Sequence, residues 1–170
     1  MKQLNSISDA VLLEQVQVLV HDERRISTEI LHHLREIERR SLHLKRGFSS
    51  LFTYMTEELK YTEGSAHRRI SALRLLGSLP VQEAQRIEAS INSGVMSITT
   101  VAMVQDLVRF KKKEKQPIST SAKLSLLCAI EGKSKKEVER VLVAQAPQMA
   151  SRDKERVVTG ELTELKITVD

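Results

Sequence analysis

Aromatic residues are scarce in this chain, which has no tryptophan, two tyrosines and three phenylalanines among 170 residues. Its apolar share is nevertheless 41%, enough for a packed core. Such a core must be built mostly from Leu, Ile, Val, Met and Ala, which favours helix packed on helix over a β-sandwich. We therefore predict an all-α fold, a multi-helix bundle.

Cysteine is nearly absent as well. The single Cys128 cannot form an intrachain disulfide, and no group of cysteines and histidines has the spacing of zinc ligands. Because Cys128 lies in the apolar run LSLLCAIEG, we expect it to pack in the core. No HExxH motif, complete phosphate-binding loop or nucleophile with a neighbouring base occurs, so no catalytic residue, metal site, cofactor or small-molecule substrate is predicted.

Long hydrophobic runs are also missing. No apolar run approaches the ~20 residues that span a bilayer, and the N-terminus has no hydrophobic block of a signal peptide. We expect a cytoplasmic protein without a membrane partner.

Positive charge is present in excess and is unevenly distributed. The net charge is +5 and the sequence pI about 9.4. Residues 1–60 contain nine basic and nine acidic side chains, residues 61–116 nine and five, and residues 117–170 nine and eight. The excess therefore lies mainly in the middle third, which favours a polyanionic partner for that region.

Helical periodicity dominates the first segment, residues 8–46. Ser8 is a good N-cap, and neither proline nor glycine occurs before Gly47. Apolar residues recur three, four or seven positions apart, at Leu12, Val16, Leu19, Ile26, Ile30, Leu34 and Ile37. This pattern predicts one long helix, or two with a break near residues 21–22. The stripe packs either on the chain's own core or on a second subunit, and the second alternative predicts a dimer that depends on Leu34 and Ile37.

Caps and helix breakers predict six further helices, at about residues 50–60, 63–76, 81–93, 98–112, 121–131 and 135–146. A polar linker follows at residues 148–160. The last ten residues, ELTELKITVD, alternate as a strand does, with no partner predicted in the same chain. We divide the chain into a helical segment at 1–46 that could dimerise, a DNA-binding core at 47–146, and a linker with a terminal strand at 147–170.

The stretch at residues 47–76 has the pattern of a helix-turn-helix. In its second helix Ala66, Ile70 and Leu73 form the buried line, which leaves arginine, serine and histidine on the free faces. Arginine can bind guanine with two hydrogen bonds, and the N-terminal half of such a helix enters the major groove. Lysines at the end of the helix predicted at residues 98–112 can hold phosphates. The predicted DNA contacts are Ser65, His67, Arg68, Arg69, Ser71, Arg74, Lys111, Lys112 and Lys113.

Two families resemble this region. TEELKYTEGSAHRRISALRLLGSLP, followed by SGVMSITTVAMV, resembles the helix-turn-helix core of ParB-type partition proteins. ILHHLREIERRSLHLKRGFSSLFTYMTEELKYTEGSAHRRISALRLL is similar to the helical region that precedes the nuclease domain in bacterial HNH-endonuclease-type proteins. The second match is carried by Glu36, Arg39, Gly47, Ser50, Leu51, Tyr54, Arg68, Arg69 and Ile70.

The resemblance implies a DNA-targeting module that is non-catalytic in this chain, with nuclease activity only if a C-terminal catalytic domain is missing from it. Double-stranded DNA is the partner that we expect, and homodimerisation stays open. The alternatives are a helical protein-interaction or dimerisation module, a transcriptional regulator, or a nuclease with an unrecognised active site.

Overall fold

Helices build almost all of the structure, a computed structural model that describes residues 4–149 together with the backbone of 154–157 and 163–166. Within these residues it contains eight α-helices, which confirms the all-α prediction. No helix among them is long and apolar enough to cross a membrane. They are α1 (Asp9–Arg39), α2 (Leu42–Lys45), α3 (Leu51–Thr53), α4 (Glu63–Gly77), α5 (Val81–Ser93), α6 (Ile98–Lys113), α7 (Thr120–Ile130) and α8 (Lys135–Gln145).

The helix boundaries follow the caps that the sequence contains. The Thr62 side chain accepts a hydrogen bond from the Ser65 amide at the start of α4. Capping boxes open α6 at Ser97 and α8 at Ser134. Gly94 ends α5 in the left-handed conformation, with φ of 83°, which glycine adopts without steric cost. These four helices start and end within about a residue of their predicted positions.

The first segment forms one unbroken helix across residues 21–22, so the single-helix alternative is confirmed there. Ser8 caps α1, and its side chain accepts from the Val11 amide. The break comes later, because Ser41 adopts a left-handed conformation with φ of 53° and only the short α2 follows it.

The core surrounds α4. This helix buries seven of its fifteen residues and packs mainly on α6, with further contacts to α1, α3 and α5. The cluster reaches from Leu31 of α1 to Leu142 of α8 and Ala146, so all the longer helices share it. What α4 leaves exposed lies mostly in its first two turns, at Glu63, Gly64, His67 and Arg68.

The two ends of α1 differ. Every residue from 8 to 21 is exposed, whereas Thr28, Leu31 and Leu34 are buried. Leu34 is only 2% exposed, and Ile37 packs against the chain's own core. The alternative in which Leu34 and Ile37 form a subunit interface is therefore wrong, because α4 and α5 already cover that part of the helix.

Two other expectations need correction. Strands β1 (Lys154–Val157) and β2 (Thr163–Lys166) pair antiparallel, with Lys154 opposite Lys166. Part of the predicted linker is thus a strand, and a strand near the C-terminus does have a partner in the chain. Cys128 is exposed and not in the core, because α7 turns only Leu127 and Ile130 fully inward.

Candidate nucleic-acid interface

Residues 54–62 join α3 to α4 as a π-helical turn followed by a four-residue turn, and they place the start of α4 at the surface. After α3 the helix widens into a π-helical turn, Tyr54–Glu58, whose Met55 side chain is completely buried. Lys60 then takes a left-handed conformation, with φ of 57°, and the Tyr61 amide donates to the Met55 carbonyl at 3.0 Å. The buried Met55 and this hydrogen bond fix the turn against the core.

Arg68 presents its charge at the N-terminal end of α4. Its side chain is exposed, and its Nη1 lies 3.2 Å from the point that a Cβ on Gly64 would occupy. The guanidinium therefore folds back over the first turn of the helix. The unpaired amides and the helix dipole give that turn a partial positive charge. The helix end and the Arg68 guanidinium therefore both attract anions.

Arg69, the next residue, is held inside the turn. It is half-buried, and its Cζ lies 4.6 Å from the centre of the Tyr61 ring, a cation–π contact. Its Nη1 also donates to the Ser65 hydroxyl and, at 3.4 Å, to the Ser65 carbonyl. Arg69 and Ser65 thus shape the start of α4, whereas the Arg68 guanidinium lies exposed over its first turn.

His67 connects α4 to α6. Its Nε2 lies 3.8 Å from Asp106 Oδ1 and 3.4 Å from Arg109 Nη1. Arg109 is exposed and is a candidate contact that the sequence interpretation missed. The available signal was its position four residues before Lys113, which places both cations on one face of a helix.

Ser71 is not a DNA contact, so its prediction as one is wrong. It is 3% exposed, and its hydroxyl donates to Asp106 Oδ1 at 3.4 Å. A side chain enclosed between α4 and α6 cannot reach a duplex, so its role is to join the two helices.

The contacts between α4 and α6 follow the order of an antiparallel pair. His67 contacts both Asp106 and Arg109, whereas Ser71, one turn further along α4, donates to Asp106, so the contacts on α6 shift backwards. The end of α6, with its lysines, therefore lies beside the start of α4. We name this patch the α4–α6 surface, formed by His67, Arg68, Asp106, Arg109 and Lys113.

The α4–α6 surface is positively charged. It holds three permanent cations and one carboxylate, Asp106, which lies 3.9 Å from Arg109, and a second carboxylate, Glu63, is exposed nearby in the first turn of α4. Lys113 and Arg109 line one shallow groove of about 380 Å³. Lys112 is exposed next to this patch.

Two other predicted contacts lie elsewhere. Arg74 is further along α4 and binds Glu38 of α1, with 3.3 Å between Nη2 and Oε1. This pair braces α1 on α4. Lys111 is half-buried and lines a different cleft of about 660 Å³ between the end of α6 and helices α7 and α8. The structure thus gathers only part of the predicted set at one place.

Ion pairs form at the end of α1. Glu36 accepts hydrogen bonds from both Arg39 and Arg40, and these contacts lower the pKa of Glu36 to about 2. Because all three side chains are partly or largely exposed, they are a surface network and not a site.

Metal-ligating side chains do not converge in the part of the chain that the structure describes, since no three His, Cys, Asp or Glu residues there could hold an ion. Comparison with models of protein families, with curated proteins and with solved structures found nothing that matches this chain.

Proposed function

We propose that the chain binds double-stranded DNA through α3 and α4 acting as a helix-turn-helix, with the start of α4 directed at the major groove. One observation carries the proposal. The packing of α6 on α4 brings cations of both helices to the first two turns of α4, where most of its exposed residues lie. Because the core buries most residues of the remaining turns, this end is the part of α4 that can enter a groove.

The residues of the α4–α6 surface take different roles. The exposed guanidinium of Arg68 lies over the first turn of α4, and in this proposal it contacts a base edge or a nearby phosphate. Arg109 and Lys113 lie beside that turn on α6 and suit the phosphate backbone, which fixes register and orientation. The Asp106 carboxylate contacts both His67 and Arg109 and so helps to position them. Its negative charge also repels phosphate, which lowers the attraction of the surface for DNA.

Sequence features support the same function. The excess of basic residues lies in residues 61–116, which include both α4 and α6. The resemblance to the helical region before HNH nuclease domains adds a biological role, that of a targeting module for catalysis located elsewhere. In this proposal the chain itself is non-catalytic. A transcriptional regulator would use the same surface, so DNA affinity is the property to test first.

A salt titration of binding to random-sequence duplex DNA tests the proposal. We expect Arg68→Ala, Arg109→Ala and Lys113→Ala each to weaken binding. Losing one phosphate contact lowers the magnitude of the slope of log Kd against log salt by about one. If Arg68 also contacts a base, its loss costs about 1–3 kcal/mol, or roughly 5- to 150-fold in affinity. Fluorescence anisotropy with a labelled duplex measures both quantities.

Arg25→Ala is the matched control. Arg25 is an exposed arginine on α1 that pairs with Asp22 and Glu29 at 3.6 Å. It follows Arg24, which contacts the carbonyl of Ser93 just before α6 begins. Arg25 therefore lies near the far end of α6, roughly 20 Å from the lysines at 1.5 Å per residue. Equal losses for Arg25→Ala and Arg68→Ala, or no binding by the wild type at about 50 mM salt, would contradict the proposal.

Arg69→Ala is a separate case, because Arg69 stacks on Tyr61 within the turn. Losing that contact alters the fold around α4, so its DNA affinity is interpretable only beside a measured melting temperature.

A further inference from the structure

The N-terminal half of α1 extends beyond the bundle and is exposed along its whole length. All fourteen residues from 8 to 21 are exposed, and burial on α1 begins only near Arg24, which packs against Gly94. At 1.5 Å per residue, this half projects about 20 Å from the body of the protein. We name residues 8–21 the projecting half of α1.

The projecting half is strongly apolar. Its middle, VLLEQVQVLV at residues 11–20, has seven large apolar side chains, of which Leu13 is 64% and Leu19 65% exposed. Asp9 and Glu14 are its only charged residues besides His21. An isolated helix of this length is marginal in water, and helices in proteins gain most of their stability from packing an apolar face.

The apolar residues of the projecting half lie on the same face of α1 as the residues that are buried further along the helix. Leu13, Val20, Leu31 and Leu34 lie within about 60° of one another around the helix at 100° per residue. Leu31 and Leu34 are buried in the core, whereas Leu13 and Val20 are open. A groove of about 330 Å³, lined by Val20, Ile91 and Ile98 among others, lies where the covered and open parts meet.

We propose that the projecting half of α1 is a dimerisation surface and that a second copy of this chain covers it with the same segment. The face formed by Leu12, Leu13, Val16, Leu19, Val20 and Ile26 exposes on the order of 500 Å² of apolar surface per chain, at the upper end for the largest patch on a monomer. With its polar flanks it approaches the ~800 Å² per partner of a standard interface. An isologous pair supplies this area from both sides.

Charge favours the antiparallel arrangement. A parallel pair would bring Asp9 near Asp9 and Glu14 near Glu14 of the two copies, and would align the helix dipoles unfavourably. In an antiparallel pair centred near Val16, the two Asp9 residues lie far apart and the helix dipoles oppose each other, while each N-terminal end meets residues 22–25 of the other copy, where Arg24 and Arg25 balance Asp22 and Glu23. The bundles then lie at opposite ends of the pair, and the first turns of each helix reach the groove beside Val20 of the other copy.

The oligomeric state of the full chain tests the proposal, measured by light scattering coupled to gel filtration at about 0.1 mM, where an interface with a micromolar Kd is saturated. We expect a mass near twice 19.3 kDa for the wild type. The double variant Leu13→Glu with Leu19→Glu should be monomeric with an unchanged core, since neither side chain is buried. Val81→Glu, at a 73% exposed apolar residue on α5, is the matched control and should stay dimeric.

Several outcomes would overturn the proposal. A monomeric wild type would mean that no second copy covers the surface, as would a dimer that Leu13→Glu with Leu19→Glu leaves intact. Orientation is tested by oxidative cross-linking in a Cys128→Ser background. Leu12→Cys alone should give no cross-linked dimer, whereas a mixture of Leu12→Cys and Leu19→Cys chains should give one. Efficient cross-linking of Leu12→Cys with itself would show that the helices are parallel.

Discussion

The two halves of α1 belong to one unbroken helix with one apolar periodicity, yet their surroundings differ. The second half buries Leu31 and Leu34 under α4 and α5, whereas the projecting half leaves Leu13 and Leu19 in solvent. A three-four repeat of apolar residues therefore predicts that a face will be covered, but it does not predict by what. In the second half the cover is the chain's own bundle, and in the projecting half we propose that it is a second copy.

Removing one leucine from each half should give the largest contrast. We expect Leu34→Ala to lower the free energy of unfolding by about 2–5 kcal/mol, because it opens a cavity in the core. Leu19→Ala should change the stability of the monomer by less than about 0.5 kcal/mol, as at other exposed positions. Urea unfolding at low protein concentration measures both.

The effect of Leu19→Ala on stability should depend on protein concentration. At about 0.1 mM, the stability of the Leu19→Ala variant should fall below that of the wild type, because dimerisation stabilises only the folded chain by mass action. A large loss for Leu19→Ala at every concentration would show that the projecting half packs within its own chain and needs no second copy.

Sequence reasoning predicted the helices well because their ends depend on local chemistry. Ser8, Thr62, Ser97 and Ser134 cap the helices that follow them, and Gly94 ends α5, through hydrogen bonds and backbone angles that involve only near neighbours. No long-range contact had to be known for these predictions.

The candidate site was harder to predict because it depends on how α4 and α6 pack. Ser71 has the side chain of a DNA contact, but the antiparallel crossing encloses it beside Asp106. The same crossing brings Arg109 to His67, forty-two residues away in the sequence. Arg68 and Arg69 are adjacent in sequence, and only the position of Tyr61 separates their roles. Helical periodicity alone carries none of this information.

The boundary between the two halves of α1 should be sensitive to a smaller change. Thr28 is 4% exposed, and its hydroxyl donates to Asn92 Oδ1 on α5 at 2.7 Å. Valine has nearly the same shape as threonine, so Thr28→Val removes only the hydroxyl and leaves Asn92 Oδ1 without its hydrogen-bond donor. We expect a loss of about 1–2 kcal/mol in the free energy of unfolding, since a lost partner costs a part-buried polar group this much.

Thr99→Val on α6 is the control for Thr28→Val, because Thr99 is half-buried and undergoes the same chemical change. It should alter stability by a few tenths of a kcal/mol at most. Equal effects of the two variants would show that the hydrogen bond to Asn92 does not hold the start of the packed half against α5.

The smallest effect should come from the surface of the packed half, and it should depend on pH. Hydrogen bonds from Arg39 and Arg40 lower the pKa of Glu36 from 4.5 to about 2 in the folded chain. A depressed folded pKa means that the stabilisation is fully present above pH 4.5 and is lost as the pH falls toward 2. Glu36→Gln should therefore be slightly less stable than the wild type near neutral pH, with the difference shrinking between pH 4.5 and 2.

Urea unfolding across that pH range measures this difference in stability, and Glu14→Gln controls for removing one negative charge from the projecting half of the same helix. A difference for Glu36→Gln that stays constant from pH 2 to 7 would mean that the carboxylate gains nothing from its two arginines, in keeping with the weakness of exposed ion pairs.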